Sequence, residues 1–183
     1  MNKEFDILIN KMDKNLEMRH TYLMFAFTTS MAALAILFVL DFATAIMSWG
    51  CLIPFSVIIP FQARISYSRL THAKMEAYVV TFYEKKIPYL KIQLDELSGI
   101  GGKLITIIAN YELTLLAIVI DIIYALINRY ILSGTTLINF NSFFMLIGTC
   151  ITFVLATYTF RYKNFLELYC ERYEKIISQQ KVT

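Results

Sequence analysis

The chain has 183 residues, 57% of them apolar and only 17% charged, with a mean hydropathy of +0.56. Soluble domains are roughly half apolar and about a quarter charged, so this composition excludes disorder and speaks against a soluble enzyme. A net charge of +3 is too small to imply nucleic acid, six Gly and three Pro disfavour a loop-rich or all-β chain, and Cys51, Cys150 and Cys170 lack disulfide or zinc spacing.

Residues 1–20 read as a cytoplasmic helix, with Phe5, Leu8, Ile9, Met12 and Leu16 at the spacing of one apolar face. No Gly or Pro separates them from the first apolar run, 21–40, so one helix is predicted from Lys3 to Leu40. That run is too long, and starts too late, for a cleaved leader. The second run, 43–62, contains Pro54 and Pro60, a candidate gating hinge with Ser56 positioned to satisfy part of the freed backbone.

Residues 63–103 follow as a cytoplasmic helical segment. Between Arg64 and Lys86 there is no Gly or Pro, and Ile65, His72, Met75, Val79 and Phe82 share one side; Pro88 stops the helix. Gly99, Gly101 and Gly102 form a flexible break, with Gly101 and Gly102 as a second hinge. Runs three and four, 104–127 and 140–160, are joined by a short connection at 128–139. The last segment, 161–183, continues as a cytoplasmic helix with Phe165, Leu166, Tyr169, Tyr173 and Ile176 as its apolar stripe.

A hydrocarbon core of roughly 30 Å needs about 20 helical residues, and each of the four runs supplies them without Lys or Arg. The expected fold is an all-α membrane protein with four transmembrane helices and long cytoplasmic helical extensions. It is organised as hairpins 21–62 and 104–160 with cytoplasmic pieces 1–20, 63–103 and 161–183. Of the 17 basic residues only Arg129 falls on the outer side of this topology, which sets both termini and the central segment in the cytoplasm.

Two polar seams cross the predicted membrane. Lys103, Asn110, Thr114, Ala117, Asp121, Tyr124 and Asn128 lie on one narrow face of span three, because seven residues nearly complete two helical turns. Glu112 lies on about the opposite face, where it pairs with a cytoplasmic-side Lys or a neighbouring Tyr hydroxyl or is held protonated. Span four repeats the pattern through Ser142, Met145, Thr149, Thr152, Ala156, Thr159 and Lys163. Carboxylates inside a span are costly and face a bundle interior or water. The seams therefore either pack on each other within a protomer or line a path in an oligomer, since one four-helix protomer is too narrow for an aqueous channel. Candidate pore-lining residues are Asn110, Thr114, Asp121, Tyr124, Asn128, Thr149 and Thr152.

No catalytic constellation, phosphate loop, metal ligand set or cofactor motif is present, and the two histidines, His20 and His72, are isolated in sequence. Arg64, Arg69, Lys74, Lys85 and Lys86 lie just inside the predicted membrane, as a topology signal on a solvated helix face or as a contact for anionic lipid, a partner protein or a nucleotide signal.

The stretch LIPFSVIIPFQARISYSRLTHAKMEAYVVTFYE, Leu52 to Glu84, resembles small bacterial membrane proteins encoded beside nucleotidyltransferases in phage-defence operons, the SLATT-type effectors and the membrane effector of the Hailong system. The Pro-punctuated second span, the Arg after it and the aromatic ending carry the likeness, over about a fifth of the chain. The resemblance implies a homo-oligomeric channel in the bacterial inner membrane that depolarises the infected cell when a nucleotide or oligonucleotide signal changes. The other expectation is a non-conducting membrane scaffold that recruits a cytoplasmic partner.

Overall fold

The computed structural model describes residues 3–39, 50, 52–83, 100–130 and 136–180. All regular structure among them is α-helix: α1 (Lys3–Val39), α2 (Ile53–Tyr83), α3 (Ile100–Tyr130), α4 (Thr136–Phe160) and α5 (Tyr162–Gln180). α1 runs for 37 residues without a break, as its lack of Gly and Pro requires. Arg161 alone separates α4 from α5, and Phe165 N–H donates to the Arg161 carbonyl at 3.2 Å, which keeps the helical pitch across the junction.

Four local expectations change. Pro54 does not kink a span; it sits in the first turn of α2, where an N–H has no intrahelical partner and Pro is at home. Pro60 does lie inside α2, but the Ser56 hydroxyl donates to the Ile53 carbonyl at 2.7 Å and leaves the Ser56 carbonyl that Pro60 frees. Gly101 and Gly102 belong to the first turn of α3, not to a break before it. Glycine costs about 1 kcal/mol in a helix interior, and the terminal turn lacks most of the hydrogen bonds that this penalty would compromise. The connection 128–139 shortens as well, since α3 reaches Tyr130 and α4 starts at Thr136. Lys85 and Lys86 lie outside the described residues.

Two helices among the described residues are long and apolar enough to cross a membrane, over Ile107–Leu126 and Ser142–Phe160, against the four expected. The first two expected spans run into 40–49, outside the described residues.

The chain divides into two compact units, residues 1–19, 66–110 and 158–183 (unit 1) and residues 20–65 and 111–157 (unit 2). Unit 2 is centred on Ala26 and Leu34 of α1, Phe55 and Ile58 of α2, Leu113, Leu116, Ala117 and Ile120 of α3, and Met145 of α4. Gly148 of α4 is required here, because a Cβ at that position would overlap the Phe55 ring. In unit 1 the small side chains of Ala73 and Ala77 are fully buried on α2. There Cys170 Sγ of α5 lies 3.9 Å from the Ala77 carbonyl, an approach a larger residue would prevent.

Candidate functional site

The seam on α3 follows from its 3-4 spacing, and in unit 2 that face points inward. Thr114 and Tyr124 are buried, as is Thr152 on α4. Asp121 is half-buried, and its Oδ2 accepts a 2.7 Å hydrogen bond from Thr149 Oγ1. Tyr111 and Thr157 add a second contact between the same helices, with hydroxyl oxygens 3.2 Å apart. The seams of α3 and α4 therefore meet inside one bundle, the packing arrangement of the two that the sequence leaves open. Thr152 Oγ1 donates back to the Thr149 carbonyl at 2.8 Å, which occupies one hydroxyl of the seam locally.

Several buried polar atoms of unit 2 have no protein partner: Ser30 Oγ, Thr114 Oγ1 and Asp121 Oδ1. An unmatched buried polar group costs about 1–3 kcal/mol, so three in one small bundle need an explanation. The exterior is the reverse. Phe143, Leu146 and Val154 are 59%, 57% and 63% exposed, and Phe27 and Ile122 are exposed with them.

No protein-family model, characterised protein or solved structure matches this chain.

Of the other expected pore residues, Asn110 is half-buried in unit 1, and Asn128 lies in α3 with its side chain outside the described residues. Arg64 is an exposed residue of unit 2, whereas Arg69 and Lys74 belong to unit 1. Arg69 Nη2 donates to the Ala109 carbonyl at 2.6 Å, a bond that ties α2 to α3. Among the described residues no group of three His, Cys, Asp or Glu could hold a metal.

Unit 1 carries a second candidate, a groove of ≈ 430 Å³ lined by Glu4, Lys11, Lys74, Met75, Tyr78 and Tyr173 among others. Glu4 accepts from the Tyr78 hydroxyl at 3.0 Å and from the Tyr83 hydroxyl at 3.3 Å. Tyr78 stacks edge-on against Tyr173 with ring centroids 5.5 Å apart, and Phe82 packs 4.5 Å from Tyr78. Burial, reinforced by the Glu4 carboxylate, pushes the Tyr78 and Tyr83 hydroxyls above their ordinary titration range. Deeper in the same unit, His72 is held below its ordinary value of 6.5, by burial first and then by the Arg19 charge, with Asp13 acting in the opposite direction.

Sequence reasoning missed the buried polar residues of unit 1. Asn15 is 7% exposed; its Nδ2 donates to the Ser68 carbonyl at 2.9 Å, and Ser68 Oγ donates to Asn15 Oδ1. Leu16, chosen for the apolar stripe, is 45% exposed. The available signal was the run Phe5, Leu8, Met12, Asn15, whose 3-4-3 steps continue one face onto a polar residue.

Proposed function

We propose that this chain is a multi-pass protein of the bacterial inner membrane, with four spans drawn from unit 2 and its flanks and with cytoplasmic termini. In this reading it acts as a homo-oligomeric channel that answers a cytoplasmic signal by depolarising the membrane, in phage defence as the resemblance at Leu52–Glu84 suggests. One observation carries the conductive part: a carboxylate, Asp121, joined to Thr149 on a polar seam inside a bundle whose outer surface is apolar. A carboxylate in such a place is expensive and is retained where an ion or water must be met. Asp121 carries the charge of the α3 seam and would bear on cation selectivity, with Thr114 on the same inward face.

The test combines particle mass with ion flux. Native mass spectrometry of the detergent-extracted protein is expected to give a closed oligomer of several copies, and proteoliposomes are expected to pass cations in a way that Asp121→Asn alters. A clean monomer, or equal flux from wild type and Asp121→Asn, removes this reading.

The groove of unit 1 favours a second reading, a non-conducting scaffold. Tyr78 and Tyr173 at its wall, with Lys11 and Lys74 beside them, suit a cytoplasmic partner that offers apolar and acidic groups. That reading is supported by co-purification of a partner that Tyr173→Ala abolishes, with no flux under any stimulus.

A further inference from the structure

Each unmatched polar atom of unit 2 belongs to a residue that neighbours the central cluster along its own helix. Ser30 sits one helical turn from Ala26 and one from Leu34 on α1, and both of those residues belong to the central cluster. Thr114 stands next to Leu113 and one turn before Ala117, and Asp121 follows one turn later. Ser30 is fully buried and Thr114 is 2% exposed. Neither hydroxyl has a protein partner, and Asp121 Oδ1 is likewise unmatched while Oδ2 is held by Thr149. Packing alone gives no reason for α1 and α3 each to bury a hydroxyl without pairing it. Alanine would fill either position at no hydrogen-bonding penalty.

We propose that these groups bind a file of water inside the single unit 2 bundle, running past Ser30 and Thr114 to Asp121. The ligand class is water, and two to four polar partners per molecule are what buried water needs. This deepens the channel reading, on which its functional meaning rests: each protomer of the oligomer would carry its own file of single waters, far narrower than the aqueous channel that one four-helix protomer cannot enclose. Such a path is one molecule wide, so it would admit small bare cations or protons and exclude hydrated solutes. The aliphatic residues around it keep it dry elsewhere, and Asp121 Oδ1 gives it an acidic end.

Silver ion is a suitable probe, being small, cationic and reactive with thiolate. In a background with Cys51, Cys150 and Cys170 replaced by Ala, Ser30→Cys and Thr114→Cys are close to isosteric changes. Ile122→Cys, on the exposed apolar face, serves as the dry control. In intact membranes, both interior variants are expected to be blocked by Ag+ at least about tenfold faster than the control, because a dry apolar setting suppresses thiolate. Protection of either interior thiol in the folded protein, with full reactivity after denaturation, overturns the proposal. Should a variant fail to reach the membrane, water-edited solid-state NMR on the unmodified chain in bilayers reads the same contact. Magnetisation transfer from water to the Ser30 and Thr114 side chains supports the file, and transfer from lipid alone overturns it. The two readings separate cleanly: reactive thiols without flux leave the water file standing and remove the channel, whereas flux with protected thiols does the reverse.

Discussion

The two units differ in which groups they bury and which they display. Unit 1 pairs Asn15 with Ser68 and the Arg69 guanidinium with the Ala109 carbonyl, buries His72 Nδ1 without a hydrogen bond, and collects its aromatic rings around Glu4. Unit 2 leaves Ser30, Thr114 and Asp121 Oδ1 unmatched inside and displays large apolar side chains outside. The difference teaches that these helices cannot be read by one rule. In unit 2 the polar seam of α3 turns inward among the apolar residues of the core, so a polar face does not by itself mark the surface.

The strongest way to break this comparison is a charge on the outside of unit 2. Val154→Arg is expected to lower membrane-inserted yield by an amount corresponding to about 2.5–3.5 kcal/mol, the penalty for Arg at a span centre. A shift within about 0.5 kcal/mol, typical of a wetted surface, would make that face ordinary. Next in size is Gly148→Val, which drives a side chain into the Phe55 ring. It should cost about 1–3 kcal/mol by overpacking, measured as a drop in the thermal midpoint of the detergent-solubilised protein, and Phe55→Leu in the same chain should recover part of it. Asn15→Ala opens the polar clasp of unit 1 and should cost about 1–2 kcal/mol in denaturant titration, since the buried Ser68 carbonyl loses its donor and Ser68 Oγ its side-chain acceptor.

The sequence conveyed the helices well and their faces unevenly. α1 follows from a long stretch with no breaker, α2 from another that begins after Pro60, and Pro60 does not end α2 because the residues on both sides keep their helical pairing. The seams of α3 and α4 were legible because 3-4 spacing is a geometric fact, and it placed Asp121 on the same face as Thr114. Which partner that face meets was not legible, since two stripes on one chain fit each other and fit a second copy equally well. The inward turn of α5 was missed by one residue: Ile176 is exposed and Ile177 half-buried, a choice that adjacent isoleucines do not signal. Ala73 and Ala77 escaped notice for a similar reason, because small residues read as neutral until a close neighbour such as Cys170 is known.

Two smaller effects sharpen the picture of unit 1. His72 titrates below its ordinary value of 6.5 in the folded chain, so the unfolded chain takes up its proton first as pH falls. The stability tied to the neutral ring is complete above 6.5 and declines as pH drops through that value toward the folded one. A falling denaturation midpoint between about pH 8 and pH 5 that His72→Gln flattens is the expected result. Smallest is Glu4→Gln, which removes the charge beside Tyr78 and Tyr83; their tyrosinate absorbance should appear at lower pH than in the wild type, closer to the ordinary value of 10.

The apolar exterior of unit 2 also predicts how the chain tolerates change. A saturation scan across Ser142–Phe160 should divide by face. Positions such as Phe143, Leu146 and Val154 would accept any greasy residue of almost any size and reject charge. Met145, Thr152 and Ala156 would be judged by volume, with a serine or threonine often as welcome as an alanine at Thr152 and Ala156, and Gly148 would reject every side chain. Drift over generations would then scramble the identity of the outer residues while conserving their character, and hold the inner ones close to their present size.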